Sequence, residues 1–352
     1  MNCCLSVKTI KKTTIITMES DNQQYKGVVV ITGASAGVGR SCARTFAENG
    51  YDVGLIARGK DGLEGAKQEV ESYGRKAHYV IVDVADSEAV FKAADEIENT
   101  LGEISVWVNN AMNSVFSPVK DMLPDEYKRV TEVTYLGQVY GTLAALKKMQ
   151  PRNRGSIVLV GSALAYRGIP LQSAYCAAKH ATQGFFDSLR TELMHDNSKV
   201  RISMVQLPAM NTTQFGFVKS KLPNRPKPMG TIFQPEVAAD AILFAAEHDR
   251  REILVGYPTL KAVIGNKIAP WYADMVLAET GYDGQQTDEP ADPNRKNNLW
   301  EPIPGDHGAH GNFENDAKLF SPQLWASKNR KYILGASLAA LGAFISVKAV
   351  SN

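Results

Sequence analysis

Short apolar runs recur along this chain, and each is followed by a stretch whose apolar residues fall at helical spacing. The first, GVVVITG (27–33), is rich in β-branched residues and closed by glycine. A strand with one wet face would alternate apolar and polar positions. A continuous apolar run reads instead as a strand buried on both faces. The rhythm continues with a helix over 38–49, a strand over 51–58, a helix over 61–73, a strand over 77–84, a helix over 87–101 and a strand over 104–111. A long helix follows over 125–149, then a strand over 155–162, a helix over 173–195, a strand over 200–208, a helix over 235–248 and a last strand over 252–257. Seven strands alternating with six helices predict an α/β fold, a doubly wound parallel seven-stranded sheet with helices on both faces. No boundary interrupts residues 25–260, which form one domain.

The rhythm breaks in four places. Residues 1–24 are polar and aperiodic, lack the apolar core of a secretory signal, and read as a disordered leader. Residues 209–234 are rich in Pro, Lys and Asn and follow a strand, which places them over the carboxyl edge of the sheet as a candidate substrate lid. Residues 261–331 form a C-terminal extension, and from 281 it is polar and rich in Gly, Pro, Asn and Asp, an extended segment draped on the domain or a tether. Residues 332–347 carry no charge, with Lys328, Arg330 and Lys331 before them and Lys348 after. Sixteen helical residues span roughly 24 Å, short of a bilayer core of about 30 Å. Flanking lysines that reach toward the interface would close that gap. The segment 332–348 is therefore expected to anchor the protein to a membrane with its domain facing the cytosol, the alternative being a cytoplasmic protein with this helix packed on a subunit.

Composition narrows the partners. The net charge is +2, which gives no reason to expect nucleic acid. The four cysteines, Cys3, Cys4, Cys42 and Cys176, match neither a disulfide framework nor a zinc spacing. His307 and His310, in PGDHGAHG, lack the further ligands a metal would need.

TGASAGVGR (32–40) lies where the first strand meets the first helix. Its glycines let the chain turn sharply and let a diphosphate approach the backbone, while the helix start offers free N–H groups. Gly33, Ser35, Gly37 and Gly39 are the candidate phosphate-binding residues of a Rossmann-type dinucleotide site. At the end of the second strand such sites carry an acidic residue for a ribose 2′-hydroxyl, or an arginine for a 2′-phosphate. LIARG has Arg58 and no acid, with Arg40 as a second cation, so the expected cofactor is NADP(H).

GSALAYRGIPLQSAYCAAKHA (161–181) holds Ser162 at a strand end, Tyr175 thirteen positions on and Lys179 four beyond that. Tyr175 and Lys179 share a helix face. A free tyrosine has a pKa of about 10, and a cation beside it favours the phenolate. Ser162 at the carboxyl edge is placed to hydrogen-bond a substrate carbonyl oxygen.

With these motifs the chain resembles the short-chain dehydrogenases/reductases over about residues 25–260. The matching residues are Thr32, Gly33, Gly37 and Gly39 of T-G-x3-G-x-G, Asp83 after the third strand, Asn109, Asn110 and Ala111 of N-N-A, Ser162, and Tyr175 with Lys179 of Y-x3-K. The resemblance implies that Tyr175 is the catalytic acid/base, that Lys179 binds the nicotinamide ribose and tunes it, and that Ser162 polarises the carbonyl. It also implies that Asp83 contacts the adenine, that the Asn109–Asn110 backbone lines the ribose, that Thr213 meets the carboxamide, and that the protein is a homodimer or homotetramer built on its two long helices. Three positions depart from the family pattern: Met112 follows N-N-A in place of glycine, PAMNTT (208–213) replaces P-G-x-V-x-T, and Thr134 replaces the asparagine that holds a relay water.

The expected function is hydride transfer between the nicotinamide and a carbonyl or secondary alcohol carbon of a small molecule. Phe215, Phe217 and Val218 in the lid point to a lipophilic one. The alternative is a low-turnover NADPH sensor or membrane scaffold, which Thr134 and Met112 favour. An epimerase or dehydratase fits less well, since those relatives usually space the glycines differently and carry a larger C-terminal domain.

Overall fold

The computed structural model describes residues 24–337. The seven apolar runs form one sheet from β1 (Gly27–Thr32), β2 (Tyr51–Ala57), β3 (Ala77–Ile81), β4 (Ile104–Asn109), β5 (Gly155–Ser162), β6 (Val200–Leu207) and β7 (Glu252–Leu254). Every pairing is parallel, in the order β7-β6-β5-β4-β1-β2-β3. The strand order reverses between β1 and β4, where sheets of this topology open a crevice at their carboxyl ends.

Burial explains the apolar runs. Along β1, Val29 and Ile31 pack into one core beneath α1 (Gly37–Glu48), α2 (Lys60–Ser72) and α8 (Pro235–Glu247), while Val28 and Val30 pack into a second. The second core lies beneath α3 (Ser87–Leu101), α5 (Gly137–Met149) and α6 (Ser173–His195). Both faces of the strand meet side chains, so neither face is polar.

The third strand stops at Ile81, three residues short of expectation, and two further elements differ. The long helix begins as α4 (Pro124–Thr131), passes through a π turn over Glu132–Leu136 and continues as α5. The apolar spacing changes little across one inserted residue, and π turns gather at functional sites. The last strand stops at Leu254, because Gly256 takes φ +75° and starts α9 (Gly256–Ile268), with α10 (Pro270–Thr280) after it.

Residues 209–234 lie over the carboxyl edge. They include α7 (Gln214–Phe217) and three short pairings, of Ala209–Met210 with Ile232–Phe233, Lys219–Ser220 with Val115–Phe116, and Asn224–Pro226 with Gln286–Pro290. The buried Glu126 carboxylate fixes the loop by accepting Lys219 and Lys221 as ion pairs, each at 2.8 Å. Beyond α10, residues 281–318 run along the domain and hydrogen-bond to it repeatedly before α11 (Pro322–Lys328).

Among the described residues no helix is long and apolar enough to cross a membrane. The membrane-anchor expectation for 332–348 gains no support from the part in view, and its residues 338–348 lie outside the described residues, as do residues 1–23 of the expected leader.

Candidate active site

β5 ends at Ser162 and α6 starts at Ser173, so the strand end and the first turns of the helix meet at the crevice. Ser162, Tyr175 and Lys179 line one cleft of about 440 Å³, together with the glycine turn. Lys179 is 2% exposed, and its ammonium donates to the Val160 carbonyl oxygen at 2.7 Å. It sits 5.6 Å from the centroid of the Tyr175 ring. Burial lowers the Lys179 pKa to about 7. Burial pushes the Tyr175 phenol up, and the neighbouring Ser162 hydroxyl pulls the other way. The expected lowering of the tyrosine by the lysine is therefore not what the protein alone produces. Each group is desolvated and lacks a countercharge, so each favours its neutral form.

The turn has the shape a diphosphate needs. Gly33 and Gly37 adopt φ +69° and +57°, where a side chain is strained. A Cβ on Gly39 would lie 2.1 Å from the Gly33 carbonyl oxygen. N-N-A holds the turn against β4: the Thr32 hydroxyl accepts the N–H groups of Asn110 and Ala111 at 3.0 and 3.1 Å. The Asn110 amide donates back to the Thr32 carbonyl at 3.0 Å. Asn110, Ala111, Met112 and Ser35 line the cleft. Asn109 does not. It is 0% exposed and bonds Trp107 and Thr142, each at 3.0 Å, so it braces the core behind the site.

The charged residues need correction. Arg40 is no second cation for a phosphate: its side chain is 2% exposed and paired with Glu69 and Asp306. Burial works against its charge, but hydrogen bonds to those two carboxylates outweigh it and raise its pKa. Arg58 does line the cleft, with burial lowering its pKa. It donates to the backbone carbonyls of Asn298 at 2.6 Å and Trp300 at 2.7 Å. Asp83 also lines the cleft, with one carboxylate oxygen held by the guanidinium of Arg129, a residue no motif marked. A single arginine on a helix gives no signal until the chain folds beside its partner.

Thr134, in the π turn, is fully buried. Its hydroxyl donates to the Asn113 carbonyl at 2.8 Å and accepts the Asn113 N–H at 3.0 Å. The Thr134 hydroxyl proton is thus committed to the backbone. Thr213, Phe215, Phe217 and Met229 line the cleft. Val218 instead packs into a small core with Phe116, Leu171 and Leu222. Among the described residues no group of three or more His, Cys, Asp or Glu is placed to hold a metal.

The sequence model of the short chain dehydrogenases matches residues 27–222, more than half of the chain. This chain belongs to the short-chain dehydrogenase/reductase family. Relatives extend that likeness past the matched region. An uncharacterized oxidoreductase of Bacillus subtilis, YxnA, is 31% identical over 315 residues, covering 89% of this chain and 88% of its own. The dehydrogenase/reductase SDR family member 7B of Xenopus tropicalis is 35% identical over 69% of this chain and 82% of its own. Among solved structures, an alcohol dehydrogenase of the archaeon Thermococcus sibiricus, complexed with 5-hydroxy-NADP, superposes with a TM-score of 0.57 at 27% identity, covering 65% of this chain and 96% of that one. A metagenomic short-chain oxidoreductase in complex with NADP gives 0.56 at 26% identity, over 66% and 98%. Short-chain dehydrogenase/reductase chemistry, an oxidoreductase on a Rossmann-type fold, is thus this chain's family character.

Proposed function

We propose that this protein is an NADP(H)-dependent oxidoreductase that interconverts a carbonyl and a secondary alcohol. The observation that carries the reading is the convergence of Ser162, Tyr175 and Lys179 on the same cleft as the glycine turn. Gly33, Ser35, Gly37, Asn110 and Ala111 would hold the dinucleotide, with Lys179 on its nicotinamide ribose. The buried Lys179 ammonium has one carbonyl partner among the described residues, and ribose hydroxyls would supply the acceptors it lacks. When bound, the nicotinamide would supply or accept the hydride at the substrate carbon. Tyr175 gives its phenolic proton to the carbonyl oxygen as that carbon is reduced, and takes one from the hydroxyl in the reverse direction. Ser162 holds the oxygen in place by hydrogen bonding.

NADP(H) is favoured over NAD(H) by Arg58 in the cleft and by the absence of an acid at the end of β2. The two solved relatives with NADP-type ligands support the same choice. Phe215, Phe217 and Met229 give the mouth an apolar wall suited to a lipophilic substrate. A second reading, a slow NADPH-binding sensor, rests on the Thr134 hydroxyl being committed to Asn113.

One experiment separates the two. NADPH consumption is followed against aldehydes, ketones, quinones, steroids and long-chain carbonyls, with the parent and with Tyr175→Phe. Turnover by the parent alone supports the reductase. Tight NADPH binding with no Tyr175-dependent turnover on any class supports the sensor.

A further inference from the structure

The segment after α10 crosses the mouth of the cleft. Asn298, Pro302, Ile303, Gly305 and His307 form part of its lining, against the glycine turn and the end of β2. The crossing is fastened on both sides. On the β2 side, Arg58 holds the carbonyls of Asn298 and Trp300. Arg129 and Asn113 reach the carbonyl of Leu299 at 3.0 and 3.4 Å. The Leu299 side chain is 0% exposed, inserted among Val115, Met122, Val130, Ala174 and Ala178. On the α1 side, Asp306 pairs with both terminal nitrogens of Arg40 at 3.1 Å. The Gly308 carbonyl accepts the N–H of Gly37, in the phosphate turn itself, at 3.0 Å.

The domain is shaped to receive this segment. A Cβ on Gly65 would lie 2.1 Å from an Asp306 carboxylate oxygen, and one on Gly311 would lie 2.4 Å from the Thr212 carbonyl oxygen. The segment also touches the substrate loop. Asn298 donates its N–H to the Phe217 carbonyl at 2.9 Å. The His307 ring lies 5.3 Å from that of Phe217, and the Phe313 ring 5.8 Å from that of Phe215.

We propose that residues 298–308 are the outer wall of the dinucleotide site, and that this strap must lift before a dinucleotide can enter or leave. The proposal rests on the dinucleotide reading of the cleft. Its physical basis is that a groove open along the sheet edge is here closed by a peptide anchored at both ends. Release of a bound dinucleotide then requires breaking the Arg40–Asp306 pair, the Gly37–Gly308 bond and the Leu299 insertion together.

The test is NADPH release, read by stopped-flow fluorescence after a chase with excess NADP+. It is run on the full chain, on Asp306→Ala and on Leu299→Ala/Asp306→Ala, with hydrogen exchange of residues 298–311 measured alongside. The Asp306 side chain is 41% exposed and Arg40 keeps its pair with Glu69 when Asp306 is lost, so that variant carries the test even where the double one fails to fold. The expected result is release about threefold or more faster in Asp306→Ala and tenfold or more in the double variant, with strap amides exchanging faster in step. Equal release rates in all three chains, with NADPH bound by each, would overturn the strap while leaving the dinucleotide site standing. Failure of the parent to bind NADPH or NADH would overturn the dinucleotide reading, and the strap with it.

Discussion

The Lys179 ammonium lies 5.6 Å from the centre of the Tyr175 ring, one helical turn along α6, and is buried with the Val160 carbonyl as its hydrogen-bond acceptor. A buried cation with no carboxylate beside it costs folding free energy, and the protein bears that cost where a ligand would bind. The pair is poised to change its protonation when charge or hydroxyl groups arrive in the cleft.

Replacing Tyr175 with Phe removes the proton donor and leaves the ring that packs beside Lys179. Turnover is expected to fall by roughly 10²- to 10⁴-fold, with NADPH affinity within a few-fold of the parent. Steady-state kinetics and fluorescence titration check it. A variant that retains most of its turnover removes Tyr175 from the chemistry.

Lys179 has a pKa lowered to about 7 in the folded chain, against about 10.4 for a free lysine. Between those values the unfolded chain binds more protons than the folded one, so stability from this group rises with pH from about 7 to 10.4, is lost as pH falls from about 10.4 to 7, and levels off below about 7. Lys179→Met removes that dependence. Thermal melts without nucleotide are expected to show a flatter rise in midpoint over this window for the variant. Parallel curves for the two chains would contradict the assignment.

Arg58→Ala separates the two dinucleotides. Losing a charge-assisted hydrogen bond costs about 1.5–3 kcal/mol, so NADPH affinity is expected to fall about 10- to 100-fold. NADH affinity should change less. Because Arg58 also holds Asn298 and Trp300, some loss will be common to both. An equal loss for both would mean that the arginine serves only the strap.

Gly39→Ala places a methyl 2.1 Å from the Gly33 carbonyl oxygen, a backbone atom that cannot swing aside. Overpacking of this kind costs typically 1–3 kcal/mol, and the distorted turn should also weaken NADPH binding. Denaturant unfolding and nucleotide titration together read both effects.

Adding NADPH at a hundred times its Kd is expected to stabilise the parent by about 2.7 kcal/mol. For a domain of this size that is a rise in melting temperature of roughly 5–10 °C. NADH at the same concentration should give a smaller rise.

The sheet, its helices and the Ser162, Tyr175 and Lys179 set were legible in the sequence because each depends on short-range order. Period, glycine placement and the i, i+4 spacing of Tyr175 and Lys179 are local, and buried parallel strands leave an unmistakable apolar run. What the tertiary structure decided are the partners of the polar groups. Arg58 meets a carbonyl 242 positions away, and Arg40 a carboxylate 266 positions away. Asn109 and Asn110 are neighbours in one motif, yet the strand pleat turns one to the core and the other to the turn. Nothing local marks Arg129 or the π turn at Thr134. A hydrogen bond needs two groups within about 3 Å, and only the closed fold brings such distant residues that near.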